Sequence, residues 1–172
     1  MIKRISAAVC ATTAVCLLAV SGCGRPSTLL PSGSPAPKIE AEGWVNGSAP
    51  ADSDLAGRVL VIDVWAYWCG PCRAQVPTLL KTYQKYKDRG VVFVGLTYER
   101  ADAIPQIEAF INETGMTWPT GYGAYKTLDA LGIQQFPTLV VVGANQQVVW
   151  HDELGGDLST AIDQALSAVA AK

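Results

Sequence analysis

Histidine is nearly absent from this 172-residue chain: one occurs, at position 151. Cysteine is scarce as well, and three of the five lie within the first 23 residues, leaving Cys69 and Cys72 in the rest of the chain. A structural zinc site ordinarily takes four Cys or His ligands, so beyond residue 23 the set Cys69, Cys72 and His151 is one short. The same shortage excludes a framework of structural disulfides. No block of five like charges occurs and the formal net charge is −2, which argues against a nucleic-acid partner and a polyelectrolyte tail. The apolar run from Ile5 to Val20 is shorter than the ~20 predominantly apolar residues of a membrane-spanning helix. What the chain has is 49% hydrophobic residues, enough to fill the core of one ordinary domain.

The first 22 residues differ from the remainder. Lys3 and Arg4 precede an uncharged stretch from Ile5 to Val20, short for a span and suited to the apolar region of a signal peptide. The stretch ends in Val20-Ser21-Gly22-Cys23, which resembles a bacterial lipobox. That resemblance implies cleavage before Cys23, lipidation of its sulfur, and a mature chain of 11 basic and 15 acidic residues with charge −4. It also implies attachment to a bilayer through Cys23 on the extracytoplasmic side, either the periplasmic side or the outer face of the cytoplasmic membrane. Gly24 to Lys38 contains four prolines and three serines in fifteen residues. Such a composition reads as a flexible tether, with a reach of up to ~3.1 Å per residue. The expected organisation is a signal peptide at 1–22, a lipidated cysteine and tether at 23–38, and one domain at 39–172.

Within that domain, Arg58 to Trp65 (RVLVIDVW) and Val91 to Thr97 (VVFVGLT) are nearly continuous apolar runs, the pattern of strands buried on both faces. A helix is expected from Gly70 to Arg89, stopped by Gly90. Further helices are expected over 103–113, 124–131 and 158–170, the last capped by Asp157. Thr138 to Val142 and Gln147 to Trp150 flank Gly143-Ala144-Asn145 as a hairpin. Strands alternating with helices and ending in a hairpin and helix predict an α/β architecture with a mixed central sheet.

Cys69-Gly70-Pro71-Cys72 stands where the first buried strand gives way to a helix. A helix N-terminus offers unpaired N–H groups and partial positive charge, which favour a thiolate. Cys69 is then the attacking nucleophile, and Cys72, one turn on, resolves the mixed disulfide. Asp63 lies in the middle of the preceding strand, where a carboxylate is costly to bury. It is either an edge residue facing solvent or an acid held close to the dithiol.

The segment Asp63 to Cys72 (DVWAYWCGPC), followed by Pro77, resembles the thioredoxin active-site signature, and Phe136-Pro137-Thr138 resembles its cis-proline loop. A strand–helix insertion over Val91 to Gly115 resembles the extracytoplasmic TlpA/ResA-like branch. The resemblance covers roughly residues 39–170 and implies a thioredoxin-like fold and a redox-active Cys69–Cys72 disulfide without cofactor or metal. It implies that Pro137 is cis and faces the dithiol, and that Phe136 offers main-chain groups to a client. Trp68, Gly70 and Pro71 would complete the client-binding surface; Trp65 and Trp68 would pack around the dithiol, and Pro77 would kink the helix. Asp63 would take the proton of Cys72, although many TlpA-like proteins have asparagine there. Gln75 stands where many carry a glutamate, which weakens an assignment to cytochrome c maturation. The implied partners are disulfide-containing client proteins and a membrane electron donor of the DsbD/CcdA type, for a monomer with reductase activity. An isomerase or oxidase, or a lipid-anchored binding or chaperone module without redox turnover, are the alternatives. His151 reads as a surface residue, and Tyr122 and Tyr125 as either client-facing or loop-filling.

Overall fold

A computed structural model describes residues 28–170; the expected signal peptide and Cys23 lie outside them. The elements are β1 (Gly43–Val45), α1 (Asp52–Leu55), β2 (Val59–Val64), α2 (Gly70–Tyr86), β3 (Val91–Leu96), α3 (Ile104–Thr114), β4 (Thr120–Tyr122), α4 (Tyr125–Leu131), β5 (Thr138–Val142), β6 (Val148–His151) and α5 (Leu158–Ala170). Six strands form one sheet in the order β1-β4-β3-β2-β5-β6. β2 is parallel to β3 and antiparallel to β5, and the outer pairs β1/β4 and β5/β6 are antiparallel. The mixed α/β sheet expected from the apolar runs is the one observed.

β2 owes its central place to composition: all six of its residues are buried, which suits a strand with neighbours on both sides and helices above and below. Alternation sends Val59 and Val61 to a core shared with α2, α3 and α5, and Leu60, Ile62 and Val64 to a core shared with α4. α2 begins at Gly70 as expected and ends earlier, at Tyr86, with Gly90 in the left-handed region (φ 79°). Pro77 lies inside α2 and the helix continues through it. Lacking an N–H, Pro77 leaves the Arg73 carbonyl without its helical donor. Asp157 caps α5 by accepting from the Thr160 N–H at 2.9 Å.

Two expectations need correction. Residues 28–38 do not form a free tether; they are a strap along the outer edge of β6. Gly33 N–H donates to the Val148 carbonyl at 2.8 Å, Val148 N–H to Ser34 at 2.9 Å, and Ala36 N–H to Gln146 at 2.9 Å. Leu29 is buried with Leu131 and Ile133 in the core under α4. Proline and serine do not prevent this, because the strap is held by backbone bonds to a strand edge that needs a partner. His151 is not a surface residue: it is 2% exposed. It pairs with Val140 across the sheet, so both point to the same covered face.

Candidate active site

Sheet topology brings three separate stretches to one edge. The C-terminal ends of β2 and β3 lie side by side, and Val64 pairs with Thr138 at the start of the antiparallel β5. The turn into α2, the residues after β3, and the loop before β5 therefore converge. Crevices at the carboxyl ends of strands are where α/β sheets place their sites.

Cys69 is the N-cap of α2, and its Sγ accepts the backbone N–H of Cys72 at 3.1 Å. The two sulfurs are joined in a disulfide, S–S 2.02 Å, and both residues are buried. Pro71 occupies the first turn, where a missing N–H costs nothing. A Cβ at Gly70 would meet no neighbouring atom within 4 Å, so the front of the dithiol is open. The Phe136–Pro137 bond is cis. Trp68 is 64% exposed and its ring meets Phe136 edge-on at 5.6 Å. Trp65, by contrast, is buried in the same core as Cys69 and Cys72, stacked on Phe110 at 4.3 Å. Gly95 makes room for it: a Cβ there would lie 2.9 Å from the Trp65 Nε1.

Asp63 is 2% exposed, which settles the choice between edge and buried acid. It sits between Gly95 of β3 and Leu139 of β5 in the sheet register. Its alternation with Val61 points it to the face where Cys72, Val76 and Leu79 pack. Its Oδ2 is buried without a hydrogen-bond partner. Burial pushes its carboxyl from the ordinary 3.8 up to about 7, and the Trp118 indole pulls slightly the other way. That indole N–H itself reaches no partner at hydrogen-bond geometry.

Three polar residues accompany the dithiol without having stood out as a set in the sequence. Gln75, known there only as a departure from the family, has its Oε1 buried and unpartnered. It lines a cavity of ≈ 250 Å³ with Thr78, Leu79, Leu139 and Asp152. Asp152 accepts the Leu139 N–H through Oδ2 at 3.2 Å, leaves Oδ1 buried and unpartnered, and is pushed above the usual carboxylate range by burial. Glu99, two residues beyond Thr97, has both carboxylate oxygens buried without a hydrogen bond. Burial raises its pKa, opposed by backbone groups of Glu99 and Tyr67 and by the Trp68 side chain. The signal that could have marked Glu99 is its place just past the C-terminal end of a central strand. Tyr122 packs over Gly43, whose hydrogen leaves space for the phenol, and Tyr125 is half exposed at the start of α4.

The Redoxin family model matches residues 31–166. The thiol-disulfide oxidoreductase ResA of Oceanobacillus iheyensis is 30% identical over 99 residues, 56% of this chain and 50% of that protein. The chain thus spans about half the length of that relative. The thiol:disulfide interchange protein DsbE of Pseudomonas fluorescens biotype C is 29% identical over 155 residues, covering 81% of this chain and 82% of that one. Among solved structures, the thioredoxin domain of a thiol-disulfide oxidoreductase from Bacteroides vulgatus superposes with a TM-score of 0.69 at 26% identity, covering 80% of this chain and 99% of that one. With its thioredoxin-like fold and a family match over most of its length, the chain belongs to the Redoxin family.

Proposed function

We propose that this protein is a thiol–disulfide oxidoreductase that reduces protein disulfides outside the cytoplasm while anchored to a membrane through Cys23. The observation that carries the redox reading is Cys69 Sγ at the N-cap of α2, accepting the Cys72 N–H. In the reduced protein that position favours the thiolate form of Cys69 over any other thiol in the mature chain.

The reaction balances as two exchanges. The Cys69 thiolate attacks one sulfur of a client disulfide, forming a mixed disulfide and releasing the other client sulfur as a thiolate that takes a proton from solvent. Cys72 then loses its proton to the Asp63 carboxylate and attacks the Cys69 sulfur. The second client sulfur leaves as a thiolate and is protonated, and Cys69–Cys72 is left as a disulfide. Two electrons have passed to the client, and a dithiol donor in the membrane, of the DsbD/CcdA type, restores them. Asp63 suits this role because its pKa of about 7 lets it exchange a proton near neutral pH. Pro137 offers no N–H to compete for the thiolate, and Phe136 and Trp68 form the apolar rim on which a client strand rests.

Trapping tests the reading. Cys72→Ser should accumulate clients in a mixed disulfide with Cys69, released by dithiothreitol, while Cys69→Ser captures none. Capture in neither variant, with wild-type fold retained, would leave a binding module and remove the redox function. Faster refolding of a scrambled substrate than reduction of insulin would assign an isomerase instead.

A further inference from the structure

The strap fixes where the N-terminal lead leaves the domain. It runs antiparallel to β6, from Ala36 beside Gln146 at the hairpin turn to Ser32, whose hydroxyl donates to the Val149 carbonyl at 3.2 Å. Its first residues lie farther in the same direction. Thr28 Oγ1 donates to the Gly132 carbonyl at 2.9 Å, and Leu30 N–H to the Leu131 carbonyl at 3.0 Å. Gly132 ends α4 with φ 80°, and a Cβ there would collide with the Thr28 carbonyl. From this clasp a short series of contacts leads to the dithiol. The Tyr98 hydroxyl donates to Asp129 Oδ1 at 2.8 Å and lies 3.3 Å from the Ile133 carbonyl, its ring meets Phe136 at 6.1 Å, and Phe136 meets Trp68, the neighbour of Cys69.

We infer that the strap directs the lead out of the domain at its dithiol end, so that the domain, tethered through Cys23, faces the bilayer with the Trp68–Phe136 rim. This rests on the lipid anchor proposed above. Between Cys23 and Thr28 stand only Gly24, Arg25, Pro26 and Ser27. Five Cα–Cα steps at no more than ~3.6 Å each give a reach of at most about 18 Å. The fifteen-residue spacer read from composition would have let the domain turn freely some tens of ångströms away. A four-residue lead attached at one end does not. α2 is 17 residues long and rises ~1.5 Å per residue, so its C-terminal end stands about 25 Å behind the dithiol. The surface that exchanges disulfides is therefore the membrane-facing one, and its clients carry their cysteines close to the bilayer surface.

The test uses full-length lipidated protein in vesicles containing an acceptor-labelled lipid, with Cys69 and Cys72 replaced by serine. A donor dye is placed at Gln134→Cys, in the loop before Phe136, or at Asp88→Cys, beyond the far end of α2; both sites are exposed. Energy transfer to the lipid should be severalfold greater from position 134 than from 88. Leu29→Asp, which releases the strap, should erase the difference. If that variant fails to fold, a Gly-Ser insertion between Ser27 and Thr28 that doubles the reach should shrink it with the strap intact. Intact mass read in parallel shows whether Cys23 carries lipid. Equal transfer, or more from 88, in lipidated protein overturns the orientation and leaves the anchor standing. Protein without lipid that fails to bind vesicles overturns the anchor, and the orientation with it.

Discussion

The two faces of β2 obey different rules. On one side Leu60, Ile62 and Val64 pack with Leu96, Leu128 and Val140 in an apolar core. On the other side the same strand presents Val59, Val61 and then Asp63, in a core that also holds Cys69 and Cys72. Asp63 Oδ2, Trp65 Nε1, Gln75 Oε1 and Trp118 Nε1 are buried and unpartnered on or bordering this second face, whereas His151 Nδ1 is such an atom on the side of Val140. A buried polar group without a partner costs ~1–3 kcal/mol, so the second face is the less stable way to build a core. Sequences break packing rules mainly where function requires it. One face is built mainly for packing, and the other gives up stability to bury a titratable acid on the side of the Cys69–Cys72 disulfide.

Substitutions can break that contrast or sharpen it. The largest effect is expected for Cys69→Ser, which should reduce insulin reduction to background without lowering thermal stability of the reduced protein. Asp63→Asn should slow turnover by about 10²-fold, the scale of a lost general base, while making the fold more stable. The sign follows from proton counts. With a folded pKa of about 7 against 3.8, the folded state binds more protons than the unfolded one between those values, and stability falls as pH rises through that window. The asparagine variant lacks this fall and should exceed wild type above pH 7 by on the order of 4 kcal/mol, read from urea melts at pH 5 and pH 8. Ile62→Ala, on the apolar face, should do the reverse. It should lose about 2–5 kcal/mol of stability and keep its turnover per folded molecule. The smallest change is expected for Gln75→Leu. Removing the unpartnered amide oxygen from the cavity wall should raise stability by about 1 kcal/mol and leave insulin reduction unchanged.

Much of this was readable before the fold was seen. Continuous apolar runs marked β2 and β3, and the position of Cys69 between strand and helix marked it as the cysteine that begins α2, although the helix ends at Tyr86, short of Gly90. Asp63 was visible as an anomaly, but whether it faced solvent depended on which strands flank β2. That is a property of topology. β4 was missed because three residues, Thr120–Tyr122, are too few to show a period. The strap was missed because its binding uses backbone groups, which composition does not report. His151 and Asp152 were misread or overlooked for a related reason. β6 ends the sheet in strand order, yet its edge is covered by the strap and its face by the core. Glu99 has no motif, and only convergence of the strand ends brings it beside Trp68.

The central claim is that the buried acid on the second face of β2 moves the proton of Cys72. It is tested most directly by the pH dependence of single-turnover release of a client from the mixed disulfide with Cys69, compared between wild type and Asp63→Asn. The account predicts a wild-type rate that rises through an inflection near pH 7 as Asp63 becomes a carboxylate, and a variant whose rate lacks that inflection. An identical inflection in both proteins would contradict it and assign the titration to another group.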